Sequence, residues 1–325
     1  MSTPIRFYLP EPIPADLPSS PTVYWTGFRG KMRGGVYAWT VQTFQWLRDA
    51  GVNCTLSNDL PSEGILVAHR KSLPRNFVPP AGVLFVCLRA DATFHPFAHL
   101  HVVLTQRAMS RWYPTFYMPH WPQPGLIPRD PARGDRWENA AFFGDDACIA
   151  GEMQSAQWAS VLRDLQLNWQ HVPPEKWHDF SEVDVVVAIR DFIGKHGYAN
   201  KPATKLFNAW HAGVPAVLGR ESAYEEQRQG PLDYLEARTF SELVAALQRL
   251  RDDPALRRAM VENGRTRAHE TDPSVIVARW QEFFKDIAEP AYEKWRSASE
   301  WQRRIFRVNG FLKTKAQAIE ERFWR

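Results

Sequence analysis

Residues 201–219 read KPATKLFNAWHAGVPAVLG, and this stretch predicts a helix that runs directly into a strand. Lys201 precedes a proline and suits the N-cap, and Pro202 suits the first helical position, where its missing N–H costs nothing. Gly213 is expected to end the helix, and Pro215 prevents its continuation into PAVLG. The apolar face of the helix has i, i+3, i+4, i+7 spacing and consists of Ala203, Leu206, Phe207 and Trp210. A helix of this pattern packs one face against a sheet.

A polar stripe with the same spacing lies beside that apolar face and consists of Lys201, Thr204, Lys205 and Asn208. The first turn of a helix offers unpaired N–H groups and the positive end of the dipole, which together attract anions. Lysines at this end oppose the dipole unless an anion offsets them. The stripe therefore predicts a diphosphate site, and the alternative is an ordinary solvated helix face.

The rest of the chain alternates predicted helices with short apolar runs of the kind found in parallel strands covered on both faces. Residues 22–27 are interpreted as the first strand and 34–51 as the first helix. Further strands are expected at 64–69, 82–91, 101–106, 140–144 and 183–189. A proline-rich connector at 111–136 forbids a long helix or a central strand. The chain is therefore predicted to be α/β, with two halves joined by this connector.

Composition narrows the class of ligand. The 325 residues carry a net charge of +4, which suits a phosphate-bearing ligand and is too small to indicate nucleic acid. The three cysteines are far apart in the sequence, as expected for reduced thiols in a cytoplasmic protein. No secretory signal and no membrane-spanning stretch is recognised, so a cytoplasmic location is expected.

The run KLFNAWHAGVPAVLG resembles the C-terminal-domain signature of GT-B nucleotide-sugar-dependent glycosyltransferases, over residues 140–284. The resemblance implies two Rossmann-like parallel-sheet domains that face across a cleft, with C-terminal helices crossing back. It implies an acceptor domain at 1–135, a donor domain at 136–284 and a helical tail at 285–325 that packs on the first domain. Many retaining members carry two glutamates where this chain has Asn200 or Lys201 and Asn208, so the stereochemistry stays open.

The resemblance also implies further donor contacts. Glu221, after the next strand, would contact the ribose or base, and Tyr224 would stack on the nucleotide or close the pocket. Gly34 and Gly35, preceded by Lys31 and Arg33, resemble the glycine-rich loop that approaches the donor. A basic surface turn is the alternative for that loop.

Three other residues stand at strand ends, where ligands bind in open parallel sheets. Asp91, and after it His69, are the candidate bases for an inverting transfer, and each would otherwise be a helix cap or turn residue. Arg190 would reach a phosphate or the sugar, or else pair with Asp191 or Asp184.

No metal and no cofactor are expected. His95, His99 and His101 have no cysteine or carboxylate to complete a metal site. The tail is basic and aromatic, so it is expected either to cover the first domain or to touch an anionic membrane.

The leading hypothesis is a glycosyltransferase that moves a sugar from a nucleotide-diphosphate donor to a glycan, lipid-linked or small-molecule acceptor. The alternatives are a GT-B-fold epimerase or phosphorylase and a catalytically silent nucleotide- or carbohydrate-binding subunit.

Overall fold

Two units make up the chain in the computed structural model, which describes residues 3–25, 34–192, 198 and 200–323. The first unit comprises Met1–Pro21, Gly27–Pro119 and Ile276–Arg325, and the second comprises Thr22–Thr26 and His120–Val275. The sequence-based boundaries at 135/136 and 284/285 lie later in the chain than these.

The first unit is built on a six-stranded parallel sheet in the order β2-β1-β3-β4-β5-β6. Its strands are β1 (Ile5–Tyr8), β2 (Cys54–Ser57), β3 (Glu63–His69), β4 (Gly82–Leu88), β5 (Leu100–Val103) and β6 (Thr115–Tyr117). Helix α1 (Gly34–Asp49) connects β1 to β2. Strands β3 and β4 are buried along almost their whole length, which explains their continuous apolar sequence.

The second unit is built on a five-stranded parallel sheet in the order β11-β10-β9-β7-β8. Its strands are β7 (Asn139–Phe143), β8 (Asn168–Val172), β9 (Val185–Ala188), β10 (Ala216–Gly219) and β11 (Leu235–Ala237). Its helices are α2 (Ala156–Leu165), α3 (Thr204–Ala212), α4 (Ser222–Gln227), α5 (Phe240–Asp252) and α6 (Pro254–Ala268). The prediction of two Rossmann-like parallel sheets is confirmed.

The chain then returns to the first unit. Helix α7 (Pro273–Glu282) leads through a π-helical turn at Phe283–Ala288 into α8 (Glu289–Arg296) and α9 (Glu300–Phe323). Trp280 of α7 packs with its ring 6.1 Å from that of Trp39 on α1, and both side chains are fully buried. Among the described residues, no helix combines the length and apolarity needed to cross a bilayer.

The first strand is not where the sequence analysis placed it. Residues 22–25 form no strand, and the strand that opens the first sheet is β1, only four residues long. Tyr24 instead donates a hydrogen bond to the carbonyl of Pro174 and stacks on His178 at 4.2 Å. This early segment therefore packs with loops of the second unit, whose positions in the sequence are about 150 residues away.

Asp184 is the centre of a buried ion cluster at the amino end of β9. Its carboxylate accepts hydrogen bonds from Arg129 (3.0 and 2.8 Å) and Arg133 (2.9 and 2.8 Å). The backbone N–H groups of Glu138 and Asn139 also donate to it. Burial alone would raise the pKa of Asp184, but these donors outweigh it and the pKa is lowered. Through these contacts, Arg129 and Arg133 of the proline-rich connector bind to the start of β9 in the second sheet.

We expect Asp184→Asn to lower the free energy of unfolding by about 3 kcal/mol, because the buried Arg133 and the partly buried Arg129 lose the carboxylate that they share. Since the folded-state pKa is depressed, the stabilisation is present above the unfolded-state pKa and is lost as the pH falls through the folded-state value. Urea denaturation at neutral and acidic pH measures both effects. Asp135→Asn, which breaks an exposed pair with Arg258, is the control, and an equal loss in both variants would contradict the prediction.

Candidate functional site

Helix α3 begins at Thr204, three residues after Lys201, the predicted N-cap. Ala203 occupies the N-cap and has no side-chain acceptor to offer, while Lys201 belongs to a turn in which its N–H bonds the carbonyl of Tyr198. Within the described part of the chain, the N–H groups of Thr204 and Lys205 have no acceptor. The helix ends as predicted, with Gly213 in the left-handed conformation at φ 67°.

Lys205 places a half-buried ammonium group beside these N–H groups. Its Nζ lies 5.6 Å from the centre of the Phe142 ring, and no carboxylate of the described residues forms an ion pair with it. Burial, followed by repulsion from Arg190, lowers the pKa of Lys205 to about 8, although Glu221 acts in the opposite direction. The site therefore holds a cation that its protein surroundings stabilise poorly.

Arg190 and Glu221 form a buried ion pair next to Lys205. Arg190 follows β9 and Glu221 follows β10, so the two come from the carboxyl ends of neighbouring strands. Arg190 Nε donates to Glu221 Oε1 at 3.0 Å. Glu221 Oε2 is buried and receives no hydrogen bond from any described residue. Burial raises the pKa of Glu221 even though Arg190 and Lys205 lower it. Burial lowers the pKa of Arg190, but Glu221 more than offsets this and the pKa is raised.

Two other predicted donor residues have structural partners. The Asn208 side chain is buried, and its Oδ1 accepts a hydrogen bond from the Gln123 N–H at 3.0 Å, 85 positions earlier in the chain. Tyr224 is buried in the core with its ring 6.2 Å from that of Tyr234, so it is not placed to stack on a ligand. The structure brings Lys205, Arg190 and Glu221 together, pairs Asn208 with the Gln123 N–H and buries Tyr224.

The candidate bases lie in the first unit. His69 ends β3, and its Nδ1 accepts the Lys71 N–H at 3.1 Å, the cap role that was its alternative. Burial and the charge of Lys71 lower the pKa of His69 to about 4, so the ring is neutral at pH 7. Asp91 follows β4, is exposed, and lies 3.6 Å from Lys71 Nζ. Lys71 therefore contacts both candidate bases, His69 through its backbone N–H and Asp91 through its ammonium group.

The predicted glycine-rich loop is described only at its end. Gly34 and Gly35 are the first residues of α1, and a Cβ added at Gly35 would meet no atom within 4 Å. Lys31 and Arg33 lie outside the described residues.

Each of the three clustered histidines has at least one ring nitrogen in a hydrogen bond inside the first unit. His99 Nδ1 accepts the Phe85 N–H at 2.9 Å, and His101 Nε2 accepts the His95 N–H at 3.1 Å. Burial lowers the pKa of His95 to about 4 and those of His99 and His101 to about 3, so all three are neutral at pH 7. Over the ranges that the structure describes, no group of three or more metal-ligating side chains is found.

A further group at the ligand-binding edge was missed from the sequence. His171, near the end of β8, lies 3.0 Å from Asp146 through Nδ1 and 2.7 Å from the carbonyl of Gly144 through Nε2. These residues and Asp145 line a cavity of about 520 Å³. Strands β7 and β8 are neighbours in the sheet. The only signal in the sequence was therefore that Asp146 follows β7 and that His171 stands near the end of β8.

We expect Arg190→Met to lower the free energy of unfolding by about 3 kcal/mol, because Glu221 is left buried and unpaired. The double variant Arg190→Met/Glu221→Leu removes both charges and should recover most of that loss. Urea denaturation of the wild type, both single variants and the double variant measures the coupling. Additive effects of the two substitutions would show that the pair is not coupled.

Comparison with known proteins gives one family match. Residues 133–285 match the family described as glycosyl transferase-like, a segment that includes β7–β11 and the Lys205 site. The comparison with curated proteins gives no match.

Several solved structures are remotely similar. Sucrose-phosphate synthase from Thermosynechococcus elongatus is 12% identical with a TM-score of 0.48, over 70% of this chain and 74% of that one. Anabaena HepE in complex with UDP is 12% identical with a TM-score of 0.49, over 74% and 88%. The pneumococcal O-GlcNAc transferase GtfA in complex with UDP and GlcNAc is 10% identical with a TM-score of 0.47, over 79% and 60%.

The matched segment contains KLFNAWHAGVPAVLG, the run on which the resemblance in the sequence rested. Residues 133–285 are therefore similar to glycosyltransferases, and over this segment the resemblance seen in the sequence is confirmed.

Proposed function

We propose that the protein transfers a sugar, of the hexosyl type, from a nucleotide-diphosphate donor to a glycan, lipid-linked or small-molecule acceptor, without a bound metal. The donor binds to the second unit and the acceptor to the first. The protein acts in the cytoplasm, or on the inner face of the membrane when the acceptor is lipid-linked.

The observation that carries the proposal is the half-buried ammonium of Lys205, without a carboxylate partner in the described chain, at the uncapped start of α3. A diphosphate would accept hydrogen bonds from the free N–H groups and compensate the Lys205 charge. Arg190 adds a second cation at the same edge. As the bond to the sugar breaks, negative charge grows on the leaving diphosphate, and these groups stabilise it.

Glu221 is the acceptor for a ribose hydroxyl in this proposal. Its Oε1 is held by Arg190, while Oε2 has no donor among the described residues. A hydroxyl that donates to Oε2 would satisfy a buried oxygen. Lys201 and Thr204 flank the same helix start and complete the proposed phosphate contacts.

Nucleoside diphosphate binding should depend on Lys205 and on pH. The free-protein pKa of about 8 means that Lys205 loses its charge as the pH rises through that value. We expect the affinity for the best nucleoside diphosphate to fall about tenfold between roughly pH 7 and pH 9. In Lys205→Arg the charge persists and the profile should be flat. Calorimetry over this pH range is the measurement.

The matched control is Lys176→Ala, an exposed lysine in the same unit, which should bind like the wild type. Lys205→Ala should bind weakly at every pH. If none of UDP, GDP, dTDP, ADP or CMP stabilises the wild type at saturating concentration, where about 2.7 kcal/mol is expected at 100 times the dissociation constant, the donor site is not there.

Turnover should depend on Asp91 if the transfer is inverting. We expect Asp91→Asn to lower kcat by about 10²–10⁴-fold, because the acceptor hydroxyl then loses its base. Donor affinity should stay unchanged. Asp59→Asn, an exposed acid of the same unit, is the control. Release of nucleoside diphosphate with and without acceptor is the assay.

The other outcomes of this assay identify the alternatives. Loss of turnover in His69→Gln but not in Asp91→Asn assigns the base to His69. Acceptor-independent consumption of the donor indicates an epimerase. Binding without turnover of any sugar indicates a silent binding subunit.

A further inference from the structure

Helix α9 carries an exposed apolar stripe. Trp301, Ile305, Val308 and Leu312 follow the i, i+4, i+7, i+11 spacing of one helical line. Their exposed fractions are 66%, 42%, 49% and 60%. Phe311, to one side of this line, is 54% exposed, and its ring packs edge-on against that of Phe97 at 5.2 Å. Single exposed apolar side chains are ordinary on a protein surface, but four along one helical line form a continuous apolar stripe.

The opposite face fixes the orientation of α9 on the first unit. Phe306 stacks on His99 with ring centres 4.4 Å apart and an angle of 6°. Gly310 lies so close to Phe97 that an added Cβ would come within 2.3 Å of its ring. Lys313 Nζ lies 4.3 Å from the centre of the Tyr113 ring. Because these residues pack against the first unit, the stripe on the other side of α9 faces away from it.

Basic residues border the stripe. Five basic residues and no acidic one occur from Trp301 to Lys315. Arg304 and Lys315 are exposed and share the adjacent helical line with Val308 and Phe311, and Arg307 is exposed next to it. An apolar line edged by cations matches a surface that offers both acyl chains and anionic headgroups.

We propose that the outer face of α9 binds an anionic membrane surface, with the stripe in the headgroup region and Arg304, Arg307 and Lys315 against lipid phosphates. A second copy of this chain is a poorer occupant, because its identical face would bring like charges together. The contact is peripheral, since the described helices include none that could cross a bilayer. The proposal goes beyond the proposed transfer reaction, and its test needs no nucleotide.

Co-sedimentation of the full chain with vesicles tests it. The wild type should bind vesicles of equal parts phosphatidylglycerol and phosphatidylcholine and should bind pure phosphatidylcholine much more weakly. Each neutralised cation should weaken binding about fivefold. We therefore expect Arg304→Gln/Arg307→Gln/Lys315→Gln to bind on the order of a hundredfold more weakly. Raising the salt from about 0.1 to about 0.5 M should also weaken binding.

The stripe is tested with Trp301→Ser/Leu312→Ser, which should lose at least about fivefold in affinity for the anionic vesicles. Trp112→Ser removes another exposed tryptophan of the first unit and should bind like the wild type. Melting curves confirm that each variant is folded. No binding by the wild type, equal binding to both vesicle types, or an unaffected stripe variant would overturn the proposal. So would a dimer, seen by light scattering, that the stripe substitutions dissociate.

Discussion

Parallel pairing of every strand in both sheets is the constraint on which the arrangement of this protein depends. Each connection must return to the starting edge before the next strand begins, so all carboxyl ends of a sheet meet at one edge. Arg190 and Glu221 come together in this way, although 31 positions separate them in the sequence. His69 and Asp91 are neighbours for the same reason at the edge of the first sheet. The helices that make these returns also bring the start of α3 to that edge of the second sheet.

The charges at the start of α3 do not balance within the group that they form. Arg190 and Lys205 contribute two positive charges and Glu221 one negative charge, which leaves an excess of one. The excess lies at the positive end of a helix dipole, where a cation is disfavoured. Burial and repulsion from Arg190 also disfavour the charge, and they lower the pKa of Lys205. A bound dianion would reverse this imbalance. Many retaining members of the resembled family carry glutamates where this chain has Asn200 or Lys201 and Asn208, and such carboxylates would also offset the excess.

Features that depend on the residues of a single helix or strand could be predicted from the sequence. The apolar face of α3, its glycine stop and the buried strands β3 and β4 follow from spacing and composition, and the structure confirms them. The sequence could not predict which distant residue a polar side chain hydrogen-bonds in the folded protein. Asn208 was placed on a ligand-facing stripe by helical spacing, but the Gln123 N–H that it accepts is 85 positions away. The strand β1 was missed because four residues give too short a pattern to separate from a turn.

The two edges of the second sheet carry charged clusters of the same residue types, and the electrostatics of the two clusters differ. At the amino ends of the strands, Asp184 accepts from two arginines and two N–H groups, and Asp233 accepts from Arg267, Asn263 and two N–H groups. The pKa of each carboxyl group is lowered, because its donors outweigh the effect of burial. At the carboxyl ends, the pKa of Glu221 is raised and that of Lys205 is lowered, so both charges are disfavoured. A cluster that served stability alone would have satisfied these charges, as the other edge does. The disfavoured charges at the carboxyl ends are those that the proposed diphosphate donor would compensate.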